Sequence, residues 1–390
     1  MLDLNKIPES LENKYSKLAG ALNKIGKIKY SLGLGEPDFP TPKKIVNSAF
    51  NSMTKGFTRY SSPLGIYSLR KKISQEVSKN YKLRIDPENV IVTPGSKMAL
   101  SLTLMSILRN HDEIIYLSPS YISYLPQILL TNYNIKIKKV ELNKNDFSIN
   151  FKKLEKNFSN KTKVIILNFP HNPTGKILKK NEFNKILKIF KKYSNCYVIL
   201  DEIYDKLIYT SNKYHSLATV KFLKNRTIIL NGFSKSFSMT GWRIGYCVAN
   251  RKIINNMSLI QQHINTNVPV FTQHAALKAF SISKFFLESY NKNLLKNFIY
   301  LKNVFSKNNL VRLIDSDGGL FNFIDISKTK MNSEEFCHKL LKKYFVATSP
   351  GIYFGTSWSN FVRISIAIKH NKFKEAINLV NRFILTHSKR

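Results

Sequence analysis

Acidic residues are scarce in this sequence. Twenty-four Asp and Glu stand against 62 Lys and Arg in 390 residues, for a formal charge of +38 and a pI near 10.0. Such a deficit would suit a partner of nucleic acid or anionic membrane. Arginine is scarce as well: only eleven of the 62 basic residues. Phosphate and base recognition leans on arginine's planar fork, and here the lysines are spread along the chain among many Asn and Ile. The excess therefore reads as a general compositional bias, and no specific nucleic-acid partner is expected. The three cysteines, Cys196, Cys247 and Cys337, are odd in number and form no C-x-x-C pair. They imply no disulfide framework, and a reducing, cytoplasmic setting is expected. No apolar run reaches the roughly 18 residues of a membrane span, and the first eight residues lack the apolar core of a signal peptide. The eight histidines show no ligand-like pairing, so no metal site is expected. Neither G-x-G-x-x-G nor G-x-x-x-x-G-K-[ST] occurs, which leaves nucleotide binding unsupported.

What is present is a chain of 45.1 kDa with 43% hydrophobic residues and a mean hydropathy of −0.21. That is ordinary for a globular protein and long enough for two cores. Short β-prone runs near 89–92, 113–117, 135–140, 164–168, 197–200 and 227–230 alternate with helical spacing at 43–55, 66–80, 97–109, from about 121, and at 181–193. This alternation predicts an α/β fold with a mostly parallel sheet covered on both faces. Ligands of such folds sit at the carboxyl edge of the strands. From about 285 the pattern changes to a long helix over 285–307 and strands at 318–324 and 361–366, a smaller α+β domain. A polar helix over 1–30 and a short strand from Ser31 read as a segment returning to it. The expected division is 1–40, 41–284 and 285–390, without internal repeats.

Three strings carry the chemistry. Ser234-Lys235-Ser236-Phe237-Ser238-Met239-Thr240-Gly241-Trp242-Arg243 places a lysine among small and aromatic residues, eight positions before one of the few arginines. That suits an amine that carries pyridoxal 5′-phosphate (PLP) as a Schiff base, with Ser234 and Arg243 on the phosphate. Asp201 follows the apolar run Tyr197-Val198-Ile199-Leu200. A carboxylate beside a buried strand needs a partner, and a protonated pyridine nitrogen is one; a helix cap is the plainer alternative. Tyr204 and Asn172, the latter in Asn168-Phe169-Pro170-His171-Asn172-Pro173-Thr174-Gly175, can reach the cofactor's phenolic oxygen; a turn role is the alternative for Asn172. Gly95-Ser96-Lys97 ends a strand and opens a helix, a cradle for phosphate. Tyr121 is a candidate to stack on the ring, or else packs in the core. Arg363, between apolar neighbours in Phe361-Val362-Arg363-Ile364-Ser365, needs an anion, either a substrate α-carboxylate or a structural acid.

Together these strings resemble the class I aminotransferases of PLP fold type I, in the aspartate-aminotransferase-like branch that opens with Gly-Glu-Pro-Asp-Phe, here 35–39. The likeness runs from about Gly33 to the C-terminal helix. It implies a large domain with a seven-stranded, mostly parallel sheet and a smaller α+β domain. It also implies that Lys235, Asp201, Tyr204 and Asn172 serve PLP, and that Arg243 and Arg363 hold the phosphate and the α-carboxylate. By the same likeness Gly35 faces the substrate carboxylate, and Tyr60 reaches the phosphate of a neighbouring subunit, which implies a homodimer. Two departures stand out: Tyr121 occupies a position often taken by tryptophan, and 261–270 offers no arginine for a side-chain carboxylate. Lys97 matches a lysine that aspartate enzymes of the branch can use instead.

The reading is an aminotransferase that passes an amino group between an L-amino acid, aspartate or an aromatic or neutral one, and a 2-oxo acid, with 2-oxoglutarate as acceptor. Two alternatives stay open: a PLP-dependent C–S β-lyase, and a PLP- or nucleic-acid-binding regulator.

Overall fold

A computed structural model describes residues 29–387, so the helix expected over 1–30 lies outside the described residues except for Lys29 and Tyr30. Tyr30 opens β1 (Tyr30–Ser31). The main sheet contains β2 (Val90–Thr93), β3 (Glu113–Ser118), β4 (Lys136–Glu141), β5 (Thr162–Asn168), β6 (Tyr197–Asp201), β7 (Thr227–Gly232) and β8 (Gly245–Val248). Its spatial order is β2-β8-β7-β6-β5-β3-β4. Strands β3 to β7 pair in parallel, whereas β8 is antiparallel to both its neighbours. The fold is the expected α/β type.

Alternation along these strands divides the large domain's interior. Val92, Ile115, Leu117, Ile165, Leu167, Val198, Leu200 and Ile229 enter one core. Their neighbours Ile91, Ile114, Tyr116, Val164, Ile166, Ile199, Ile228 and Leu230 enter the other. A strand apolar on both faces must be covered on both. Helices Lys43–Thr54 and Tyr67–Tyr81 lie on the first side, Ser96–Ile107 and Arg251–Ile264 on the second.

The long helix differs from expectation. It runs from Val270 to Phe305, starting fifteen residues before the expected 285, behind Pro269. Ala275, Ala276 and Ala279 pack in the first large-domain core, while Tyr290, Leu294, Phe298 and Leu301 pack in a third. The helix therefore bridges the two bodies, and the expected boundary at 284/285 lies inside it. The third core belongs to a second, antiparallel sheet of β9 (Arg312–Leu313), β10 (Phe321–Asp325), β12 (Ser349–Pro350) and β13 (Phe361–Ser365), in the order β12-β13-β10-β9. β1 pairs in parallel with β11 (Val346–Ala347), which ties the N-terminal segment to this body.

Two further differences concern local structure. The strand expected from Gly318 starts only at Phe321, with Gly319 at φ +74° in the preceding turn. The helix expected from about 121 covers only Tyr124–Leu129, which leaves Tyr121 in the loop. Among the described residues no helix is long and apolar enough to cross a membrane.

Candidate active site

The carboxyl ends of β2, β3, β5, β6 and β7 share one edge of the main sheet. Strand β8 runs backwards, so its amino end joins them there. Two residues before that end stands Arg243, and two residues after β7 stands Ser234, because Gly232 pairs with Gly245. The edge and the small body together enclose a cavity of ≈ 320 Å³.

One wall carries the acid. Asp201 ends β6 and is buried; its Oδ2 accepts a hydrogen bond from the Tyr124 hydroxyl at 2.7 Å, while its Oδ1 is buried and meets no side-chain donor among the described residues. Asn168, at the end of β5, donates through Nδ2 to the Asp201 carbonyl at 2.7 Å and accepts through Oδ1 from the Asn172 backbone N–H at 2.8 Å. These bonds fix the strand ends against each other. Burial pushes the Asp201 carboxyl up to about 6 from an ordinary 3.8, against the opposing effect of the Tyr124 hydrogen bond.

That elevation has a measurable consequence for the cofactor-free chain. A carboxyl whose value is higher folded than unfolded takes up a proton on folding. Its stabilising contribution is complete below about pH 4 and is lost as pH rises through about 6. Asp201→Asn should remove up to about 3 kcal/mol of that dependence. Urea midpoints of both proteins between pH 4 and 7 check it, and parallel curves would show that Asp201 contributes nothing to this slope.

The opposite wall is built of donors. Lys235 Nζ lies in the cavity and donates to the Gly35 carbonyl at 2.7 Å. Ser234 and Ser96 line the cavity beside Arg243, whose Nη1 donates to the Thr240 carbonyl at 2.8 Å. Helix Ser96–Ile107 starts here, so its first N–H groups and its dipole favour an anion. The backbone is drawn tight at this point. A Cβ on Gly95 would stand 2.7 Å from Arg243 Nη2, and one on Gly245 would stand 2.5 Å from the Ser96 nitrogen. Arg243 itself sits at φ +51°, a strained left-handed conformation found at sites where the surroundings enforce it.

The small body supplies the third wall. Arg363 of β13 is 3% exposed. It donates to Asn172 Oδ1 at 3.0 Å and to the Gly33 carbonyl at 2.7 Å. Its guanidinium lies 4.1 Å from the Phe321 ring centre and 4.7 Å from that of Phe354. Sandwiched between two rings, its plane has little freedom. Tyr204 lines the cavity and meets Phe321 edge-on. Tyr121 and Lys97 lie at the rim, with Lys97 Nζ 5.7 Å from the Tyr121 ring centre.

Eleven of the sequence-predicted residues thus face one space, from Gly35 to Arg363. Gly95 stands just behind the wall against Arg243. Tyr60 is not among the residues lining this cavity and is 88% exposed. The sequence reading missed Tyr124, Asn168, Phe321 and Phe354. Asn168 lies within a string that reading quoted, but nothing in one dimension says that a tyrosine after β3 meets a carboxylate at the end of β6.

This geometry stands alongside a likeness to known proteins. A family model described as aminotransferase class I and II matches residues 27–380. An aspartate aminotransferase of Thermotoga maritima is 35% identical over 381 residues, 98% of each chain. The crystal structure of the aspartate aminotransferase from Thermotoga maritima superposes with a TM-score of 0.90 at 34% identity, covering 98% of this chain and 99% of that one. An aromatic aminotransferase structure from Pyrococcus horikoshii superposes at 0.87 with 31% identity, covering 94% and 99%.

Proposed function

The chain belongs to the aminotransferase class I and II family, and on that footing we propose that it is a PLP-dependent aminotransferase acting between an L-amino acid and a 2-oxo acid, with 2-oxoglutarate as acceptor. The observation that carries the reading is the buried Asp201 carboxyl lining one cavity with Lys235, Arg243 and Arg363.

These residues fit PLP. Asp201 offers a buried acceptor with no side-chain donor at Oδ1 among the described residues, which suits a ring N–H. Ser96, Ser234 and Arg243 offer the donors a phosphate dianion needs, on a backbone too close to admit a Cβ at Gly95. PLP, when bound, supplies a carbonyl that accepts amines and a ring that takes up the electron pair left on the substrate α-carbon. Asp201 would hold a proton on the ring nitrogen, Asn172 and Tyr204 would hydrogen-bond the ring oxygen, and Tyr121 would stack on the ring. Arg363 holds the substrate α-carboxylate, assisted by the backbone at Gly35, and so aims the α-hydrogen at Lys235. Lys235 Nζ would take this proton as general base and hold it for return as a general acid. The acceptor 2-oxo acid would be held by the same Arg363 and Gly35 groups.

The proposal extends to assembly. Tyr60, exposed and away from its own cavity, is assigned to the phosphate site of a second copy, which makes the working unit a homodimer, in the cytoplasm. The parallel pairing of β1 with β11 supports grouping 1–40 with 285–390 as a small domain around the large domain of 41–284.

Substrate choice turns on Lys97, exposed at the cavity rim. Lys97→Ala should lower kcat/KM for aspartate and glutamate by about 1–3 kcal/mol, the value of a hydrogen bond to a charged group. Phenylalanine should barely change. The decisive assay supplies purified protein with PLP, 2-oxoglutarate and a panel of amino acids, and measures glutamate formed beside pyruvate and ammonia released. Glutamate formation supports transamination; ammonia and pyruvate without it would identify a lyase. An unchanged aspartate-to-phenylalanine ratio in the variant would remove Lys97 from specificity.

A further inference from the structure

Of the four residues 201–204, Asp201, Ile203 and Tyr204 line the cavity and Glu202 does not. Glu202 is 1% exposed and enters a separate polar pocket in the large domain. Its Oε2 accepts a hydrogen bond from the Tyr81 hydroxyl, at the end of helix Tyr67–Tyr81. Its Oε1 accepts from both the Tyr214 and the Ser216 hydroxyls. Three hydroxyls from two other parts of the chain thus converge on one carboxyl.

This cluster is expensive. Burial pushes Glu202 up to about 7 against those three hydrogen bonds, and Asp205, of like charge, adds to the rise. Burial raises Asp205 too, with Lys206 opposing. Burial and the charges of Asp205, Glu202 and Glu76 likewise raise Tyr246 of β8. A buried acid beside another acid is weak as a source of stability, because desolvation offsets most of what its hydrogen bonds contribute. The Glu202 carboxyl, held by three hydroxyls, instead specifies one geometry. The geometry specified here is that of the turn carrying Asp201 and Tyr204. The Glu202 N–H donates to the Leu230 carbonyl at 2.9 Å, and its carbonyl accepts from the Asp205 N–H at 3.0 Å. The side chain thus fixes a peptide that is already tied to β7.

We propose that Glu202 is a positioning residue for the reaction: pegged by Tyr81, Tyr214 and Ser216, it holds the 201–204 turn so that Asp201 and Tyr204 stay presented to the cavity. The ionised carboxylate, an acceptor-only group, takes all three hydroxyl donors at once. Glutamine keeps the size but turns one acceptor into a donor, so at least one hydroxyl must reverse its role or lose its partner. The catalytic part of this inference rests on the proposed aminotransferase reading.

The test compares Glu202→Gln, the milder Ser216→Ala, and Leu340→Ala as a control. Leu340 is buried in the small-domain core, away from the cavity, and reports plain destabilisation. In the cofactor-free full chain, amide exchange of 202–207 in Glu202→Gln should speed up by about tenfold, with the strands unchanged. The affinity for PLP should weaken by about tenfold, and kcat should fall by about tenfold with KM within about twofold. Ser216→Ala should show the same pattern at smaller size, and Leu340→Ala only a lower melting temperature. Glu202→Gln matching Leu340→Ala in exchange, PLP affinity and kcat would overturn the proposal. If the unaltered protein transaminates no donor, the functional reading fails, while exchange and PLP affinity still decide whether Glu202 positions the turn.

Discussion

Lys235→Ala should abolish steady turnover while leaving the fold intact. Lys235 Nζ reaches into the cavity and donates to the Gly35 carbonyl, and one such bond is a small loss to a chain of this size. The chemical loss is large, because the same amine must both carry the cofactor and move the α-proton. Of the other cavity-lining side chains only Lys97 bears a primary amine, and it stands at the exposed rim over Tyr121. Borohydride treatment of the PLP-loaded protein should leave a pyridoxyl group on the peptide carrying Lys235. Label on the Lys97 peptide instead, or an alanine variant that still turns over, would remove Lys235 from the centre of the reaction. Circular dichroism and melting temperature of the variant should match the parent, which separates lost chemistry from lost fold.

Asp201→Ala should retain PLP through the donors around Ser96, Ser234 and Arg243 but lose on the order of 10³-fold in kcat, the size of a dominant electrostatic contribution. Without the carboxylate nothing holds a proton on the ring nitrogen, and the electron sink fails. The structure sharpens the expectation through Tyr124. Its hydroxyl occupies Oδ2 and leaves Oδ1 as the atom turned to this task. A rate within about tenfold of the parent would not fit a dominant electrostatic role and would reduce Asp201 to a structural residue at the end of β6.

Much of the architecture was legible because buried parallel strands need apolar residues on both faces. Val164-Ile165-Ile166-Leu167 and Tyr197-Val198-Ile199-Leu200 announce themselves in one dimension. β8 did not. Gly245-Tyr246-Cys247-Val248 is four residues long and follows a loop, and its pairing partners are 13 or more residues away in sequence. The true start of the long helix was also hidden, since 270–284 carries small residues that serve a different core from the residues after 285.

The site divides in the same way. Asp201, Arg243 and Arg363 could be chosen from sequence because each is costly or rare where it stands, and Lys235 and Asn172 because of the strings around them. An acid after an apolar strand, or an arginine in a lysine-rich chain, needs a reason nearby. Tyr124, Phe321, Phe354 and Glu202 carried no such mark, since tyrosine and phenylalanine are ordinary core residues and Glu202 reads as one more acid. What they do depends on which strand ends and helices meet. Sequence alone determined the residue types able to perform the chemistry and the alternation that builds the sheet, because both are properties of neighbours along the chain. Only the tertiary structure decided which oxygen of Asp201 Tyr124 occupies, which rings clamp Arg363, and that Glu202 turns away. Those are consequences of packing between segments up to about 330 residues apart, with free energies of a few kcal/mol that no local pattern records.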